Sequence, residues 1–140
     1  MYAKNAYLDS KADSADPLEL VRMLYRGALD SVSSARRHLQ DGDIGARGRQ
    51  LSKATAILNE LALSLNHAAG GEISRSLAEM YDYLQRLILK ANFEQIEAPL
   101  VEAERLLATM LDAWENCRSA VEETEDAGDA PEYAAVSCSY

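Results

Sequence analysis

The sequence predicts an all-α fold: an antiparallel, up-down-up-down four-helix bundle with an extended N-terminal segment and a disordered acidic C-terminal tail. Three observations predict it. Four successive stretches place apolar residues at alternating three- and four-residue steps, the rhythm of one helix face. Short helix-stopping links separate them, so consecutive helices should run antiparallel. No period-two run flanked by hairpin turns is present, so strands are not expected.

Residues 1–15 form a polar leader carrying Tyr2, Tyr7 and Leu8. The first helix should open at Asp16-Pro17, where Asp16 can accept from free amides and Pro17 suits the first turn. Its stripe is Val21, Leu24, Ala28, Leu29, Val32, Ala35 and Leu39, stopped by Asp41-Gly42. Asp43 can cap the second helix, whose stripe is Leu51, Ala54, Leu58, Leu61, Leu65 and Ala68, ended by Gly70 and Gly71. Ile73, Leu77, Met80, Leu84, Leu87 and Ala91 form the third stripe, with Asn92 as its stop. Pro99 opens the fourth, which runs through Leu100, Ala103, Leu107, Met110, Trp114, Cys117 and Val121. Each helix should span about 20–25 residues, roughly 30–38 Å. The bundle domain is expected over residues 1–121 and the acidic tail over 122–140.

Composition excludes several function classes. The chain of 140 residues carries a formal charge of −9. Six of its 23 acids and none of its 14 bases fall after Val121. Such a balance is wrong for generic nucleic-acid binding, because phosphate repels it. No apolar run reaches the length of a membrane span, and no signal peptide opens the chain. Cys117 and Cys138 have neither metal nor redox spacing, so a reduced, cytoplasmic setting is expected. Cys117 reads as a small core residue and Cys138 as an exposed thiol.

Chemistry-bearing constellations are absent as well. Gly42, Gly45 and Gly48 lack the spacing and the Gly-Lys-Ser/Thr of a phosphate loop. A di-metal bundle site needs Glu three residues before His, twice, but His38 follows Ala35 and His67 follows Ser64 at that distance. Both histidines read as residues near helix C-termini. No metal, cofactor or catalytic group is expected. Trp114 reads as a core anchor whose indole N–H needs a partner.

What stands out is apolar surface in excess of one stripe: Ile57, Leu63, Tyr81, Tyr83, Ile88, Leu89, Val101, Leu106 and Leu111. These residues either widen the core-facing arc or line a groove for an amphipathic partner; composition alone does not choose. The leader either frays or covers such a groove.

The residues also resemble those of the FliS family, export chaperones dedicated to flagellin. The resemblance covers residues 2–121. It runs from Asn5-Ala6-Tyr7 and Asp16-Pro17-Leu18-Glu19-Leu20 through Met23-Leu24-Tyr25-Arg26-Gly27-Ala28-Leu29. Leu51-Ser52-Lys53-Ala54 follows, with Ile57 and Leu61. Gly70-Gly71-Glu72-Ile73 leads to Leu77-Ala78-Glu79-Met80-Tyr81-Asp82-Tyr83-Leu84, then Leu89-Lys90-Ala91-Asn92 and Asp112-Ala113-Trp114. Order and spacing carry the likeness rather than any single piece.

The resemblance implies a cytoplasmic chaperone without catalysis that binds the C-terminal segment of flagellin. It would prevent premature polymerisation and keep the subunit competent for a flagellar export gate component. It implies Tyr7 as a displaceable cap. Ile57, Leu61, Tyr81, Leu84, Ile88, Leu106 and Met110 are the candidates for the client groove. Lys53, Asp82 and Asn92 are candidates for polar client contacts. Two other functions remain open: a bundle chaperone or adaptor for another secreted client, and a small-molecule-binding bundle.

Overall fold

A computed structural model describes residues 17–127, with side chains omitted at 67, 68 and from 118 onward. Four helices make up the described chain: α1 (Pro17–Asp41), α2 (Ile44–Leu63), α3 (His67–Glu94) and α4 (Ala98–Ala127). They close into a ring in which α1 packs on α2 and α4, and α3 packs on the same two helices. Helices joined by short links are thus neighbours, which is the expected up-down-up-down bundle. The links at 42–43 and 95–97 lie at one end, and the 64–66 link at the other. The leader with Tyr7 and the residues after Ala127 lie outside the described residues.

The α1–α2 link follows directly from its residues. Gly42 takes the left-handed conformation (φ 75°). The Asp43 amide donates to the His38 carbonyl at 2.9 Å and the Gly42 amide to that of Leu39 at 3.3 Å, closing a Schellman motif. Asp43 then caps α2, its carboxylate accepting from the Ala46 amide at 3.1 Å.

Three boundaries differ from the sequence reading. First, α2 stops at Leu63 rather than at Gly70. Asn66 caps α3 by accepting from the Ala69 amide at 3.1 Å, and a local cap of this kind ends the preceding helix even where the apolar rhythm continues. His67 therefore opens α3 instead of closing α2. Gly70 and Gly71 sit inside α3, where Gly71 breaks the helical path (φ 53°, ψ −121°). Second, Asn92 does not stop α3. The helix reaches Glu94, Gln95 takes the left-handed position (φ 55°), and the Ile96 amide bonds to the Ala91 carbonyl at 3.3 Å. Third, α4 passes Val121 and continues to Ala127, with no Gly or Pro to break it before Gly128.

Tyr25, Val32, Leu58, Leu61, Tyr81, Leu84, Leu100 and Leu107 fill the centre of the bundle. Trp114 is buried at the edge of that core, and its indole N–H donates to the Leu18 carbonyl at 3.3 Å. Cys117 is half-buried on α4. Cys138 lies outside the described residues.

Ionic pairs fix the α1–α4 seam at both ends. Arg22 sits 3.2 Å from Glu115. Arg36 reaches Glu97 at 2.8 Å and Glu104 at 2.5 Å. Gln40 donates to the same Glu97 oxygen at 2.8 Å. Hydrogen bonds from Arg36 and then Gln40 hold the Glu97 carboxyl below its usual range, and those to Glu97 and Glu104 hold the Arg36 guanidinium above its own.

Candidate interaction surface

The early part of α3 runs beside the late part of α4 without closing on it. Between them lies an apolar pocket of about 230 Å³, lined by Tyr25, Ile73, Leu77, Met110, Ala113, Trp114 and Cys117. A second hollow of about 400 Å³ shares Ile73, Leu77 and Met110 and adds Glu72, Ser76 and Met80. Because they share three residues, the two form one trough. Its walls are aliphatic and thioether side chains on a floor that includes Tyr25 and Trp114. Flexible Met80 and Met110 suit such a surface, since an unbranched thioether adapts to varied shapes.

The sequence-derived groove residues divide sharply. Ile57, Leu61, Tyr81, Leu84 and Ile88 are buried in the core and offer no open groove in this structure. The physical reason is that the four helices close around a core arc wider than one stripe, which takes up Ile57, Tyr81, Ile88 and Leu111 of the excess apolar residues and leaves Leu63, Tyr83, Leu89 and Val101 exposed. Leu106 and Met110 are half-buried at the core's margin, and only Met110 lines the trough. Ile73, Leu77 and Met80, read from the sequence as seam residues, form the opposite wall. Their spacing identifies the helix face but not whether a neighbouring helix comes near enough to cover it.

The polar candidates are scattered. Lys53 is exposed on α2, and Asp82 is exposed on α3, 3.4 Å from Arg86. Asn92 is engaged: its carboxamide oxygen accepts from Arg47 Nε at 3.0 Å, and its carbonyl from Arg47 Nη2 at 3.5 Å. The structure therefore does not gather Lys53, Asp82 and Asn92 around the trough.

Towards the opposite end, the α3–α4 seam holds a hollow of about 460 Å³ lined by Tyr83, Arg86, Leu87, Lys90, Ile96, Ala98, Pro99 and Glu102. Tyr83 donates its hydroxyl to Glu102, and this bond pushes the phenol's pKa up. Among the described residues no group of three or more His, Cys, Asp or Glu side chains could hold a metal ion. No helix among them is long and apolar enough to cross a membrane.

A shallow, largely apolar trough on a helical bundle suits the binding of a peptide segment. The model of the family described as "Flagellar protein FliS" matches residues 1–121. The chain belongs to the FliS family. The "Flagellar secretion chaperone FliS" of Salmonella typhimurium is 40% identical over 108 residues, covering 76% of this chain and 80% of that protein. The protein of the same name in Bacillus subtilis is 34% identical, covering 78% and 80%. That of Escherichia coli is 33% identical, covering 76% and 79%. The chain is thus similar to flagellar secretion chaperones over most of its helical part.

Proposed function

We propose that this chain is a flagellar secretion chaperone whose client is flagellin, held by its C-terminal segment in the cytosol and released at a flagellar export gate component. No bond is made or broken in this function. The observation that carries the reading is the open trough of Ile73, Leu77, Met80 and Met110 on a chain of the FliS family. An unfolded client that orders on a surface loses about 2–5 kcal/mol or more. Burial of roughly 200 Å² of apolar surface, at about 25 cal/mol per Å², offsets that amount. A contact that runs past the trough along the bundle adds affinity while remaining reversible.

In this reading Met110 and Leu106 meet the client from α4, and the buried Ile57, Leu61, Tyr81, Leu84 and Ile88 set the shape of the surface beneath it. Lys53 and Asp82 supply polar contacts along the client's path. Asn92 joins them only by releasing Arg47. Tyr7 lies on the leader that competes for the trough.

Co-expression with flagellin, followed by mass determination of the purified complex, tests the proposal. A one-to-one complex is expected, and calorimetry with the isolated C-terminal segment should reproduce it. No binding of that segment at tens of micromolar, with capture of a different secreted protein instead, would favour the adaptor reading.

A further inference from the structure

The residues after Val121 divide into two parts of different character. Glu122 to Glu132 holds six acids and no base. Tyr133 to Tyr140 holds no charged side chain and carries Tyr133, Val136, Cys138 and Tyr140 among small residues. The trough between α3 and α4 is matched to the second part. Glu72 is the one charged side chain among the described residues that line it. Its carboxylate repels the acidic part, which would also lose hydration on entering an apolar hollow. A neutral, aromatic and aliphatic segment enters without that cost.

The two cysteines of the sequence match the same two regions. Cys138 stands in the neutral segment, and Cys117 lines the trough beside Trp114. Met110, Ala113, Trp114 and Cys117 share one face of α4 at three-four steps, and that face borders the trough. α4 ends at Ala127, ten residues past Cys117, so a return to Cys117 covers about 15 Å. The eleven residues from Ala127 to Cys138 reach roughly 36–40 Å when extended, which is ample for a turn and a return. Gly128 and Pro131 stand where the chain must leave the helix and double back.

We propose that residues 133–140 fold back into the trough and that a Cys117–Cys138 disulfide latches them there, closing the trough to the client under oxidising conditions. This regulation rests on the trough being the client's seat, as proposed above. The oxidant is a small disulfide of the glutathione class. The Cys138 thiolate attacks one of its sulfurs and releases one thiol. The Cys117 thiolate then attacks the mixed disulfide at the Cys138 sulfur and releases the second. Two cysteine thiols thus give up two electrons and two protons, and one small disulfide becomes two thiols. A short flexible tether gives an effective concentration of about millimolar, so at micromolar protein the chain's own segment outcompetes that of a second copy. The leader carries no cysteine, so no such latch can hold it there.

The test uses the full chain with its methionine methyl groups labelled for NMR. Met80 and Met110 line the trough, whereas Met23 does not and serves as the reference. In the reduced protein, Tyr133→Ser with Val136→Ser is expected to shift the Met80 and Met110 signals and to leave Met23 in place. With oxidised glutathione the parent should form an internal link as a monomer, read by peptide mapping and mass, whereas Cys138→Ser should not. The Tyr133/Val136 variant should form that link about tenfold more slowly or worse, because its segment no longer docks. Calorimetry should then show the flagellin C-terminal segment binding the oxidised parent about tenfold or more weakly, with recovery on reduction and no oxidant effect in Cys138→Ser.

Disulfide-linked dimers, glutathione left on both cysteines without a link, or a link that forms as fast in the Tyr133/Val136 variant would each overturn the proposal. So would methionine signals that ignore that variant and respond only to deletion of residues 1–9, which would give the trough to the leader. A parent that links and shifts Met80 and Met110, yet binds the flagellin segment unchanged, would show that the client sits elsewhere. That result would overturn the closure while leaving the chaperone reading intact. No flagellin binding in either state, with the link formed and the two signals moved, would sink the chaperone reading and leave the latch standing.

Discussion

The hydroxyls of Tyr25 and Tyr81 meet at 2.5 Å across the diagonal of the bundle, joining α1 to α3 although those two helices do not pack on each other as neighbours. The rings stand 6.3 Å apart at 51°, a tilted aromatic pair with its polar tips engaged. Both side chains are almost fully buried, and Tyr25 also forms part of the trough's floor. The contact thus ties the surface proposed to bind the client to the centre of the core.

Removing either hydroxyl should therefore be felt throughout the bundle. Tyr25→Phe and Tyr81→Phe are each expected to lower the unfolding free energy by about 0.5–1.5 kcal/mol. The double variant should lose less than the sum, because the second change removes a group already deprived of its partner. Urea denaturation of the four proteins measures the difference. Strict additivity would mean that the two hydroxyls act independently.

Gln95 occupies a left-handed position (φ 55°) where glycine is preferred. Gln95→Gly removes the steric cost of that conformation but adds chain entropy to the unfolded state. The net expectation is a gain of about 0.5–1 kcal/mol, read from the shift of the urea midpoint. A loss of stability would show that the Gln95 side chain makes a contact worth more than its backbone strain.

The trough and the core should respond differently to charge. Met110→Glu is expected to preserve the circular dichroism spectrum and to weaken binding of the flagellin segment by about tenfold or more. Ile57→Asp combined with Ile88→Asp should instead abolish the helical signal, since two carboxylates would be buried at a cost of several kcal/mol. A folded double variant with weakened binding would return these two residues to the client surface.

The leader offers a simple affinity test. Deletion of residues 1–9 is expected to raise the affinity for the flagellin segment if Tyr7 competes for the trough, and calorimetry on both proteins reads the change. Equal affinities would remove the leader from the mechanism.

The Arg36–Glu97 pair predicts an acid dependence. The Glu97 carboxyl is held below its unfolded value, near pH 4.3, so its contribution is fully present above that pH. It is lost as pH falls through the lowered, folded value. Comparing Glu97→Gln with the parent by denaturation at pH 7 and near pH 3 should show a penalty at the first and little at the second. An equal penalty at both would mean that Glu97 acts through packing.

Much of this architecture was legible in the residues. Asp41-Gly42-Asp43 specifies a stop and a start, Pro99 marks a first turn, and the Trp114 indole found the backbone acceptor it needs. The α2–α3 boundary was harder, because Asn66 and the Gly70–Gly71 pair are both plausible break points and only the side-chain cap decides between them. Core and groove were not separable, because Ile57, Tyr81 and Ile88 have the periodicity of either. The clamp of Arg36 on Glu97 and Glu104 left no trace in any local pattern, since its partners lie 61 and 68 residues apart in the chain.

Gly71 touches nothing that a methyl group would disturb, yet its backbone angles are ones an alanine resists. Ile73 and Leu77 follow it directly and form one bank of the trough. The path by which that bank enters the trough thus begins at a backbone kink with open space where a side chain would stand. One added carbon there could retune the receptor surface without altering a single residue that faces the cargo.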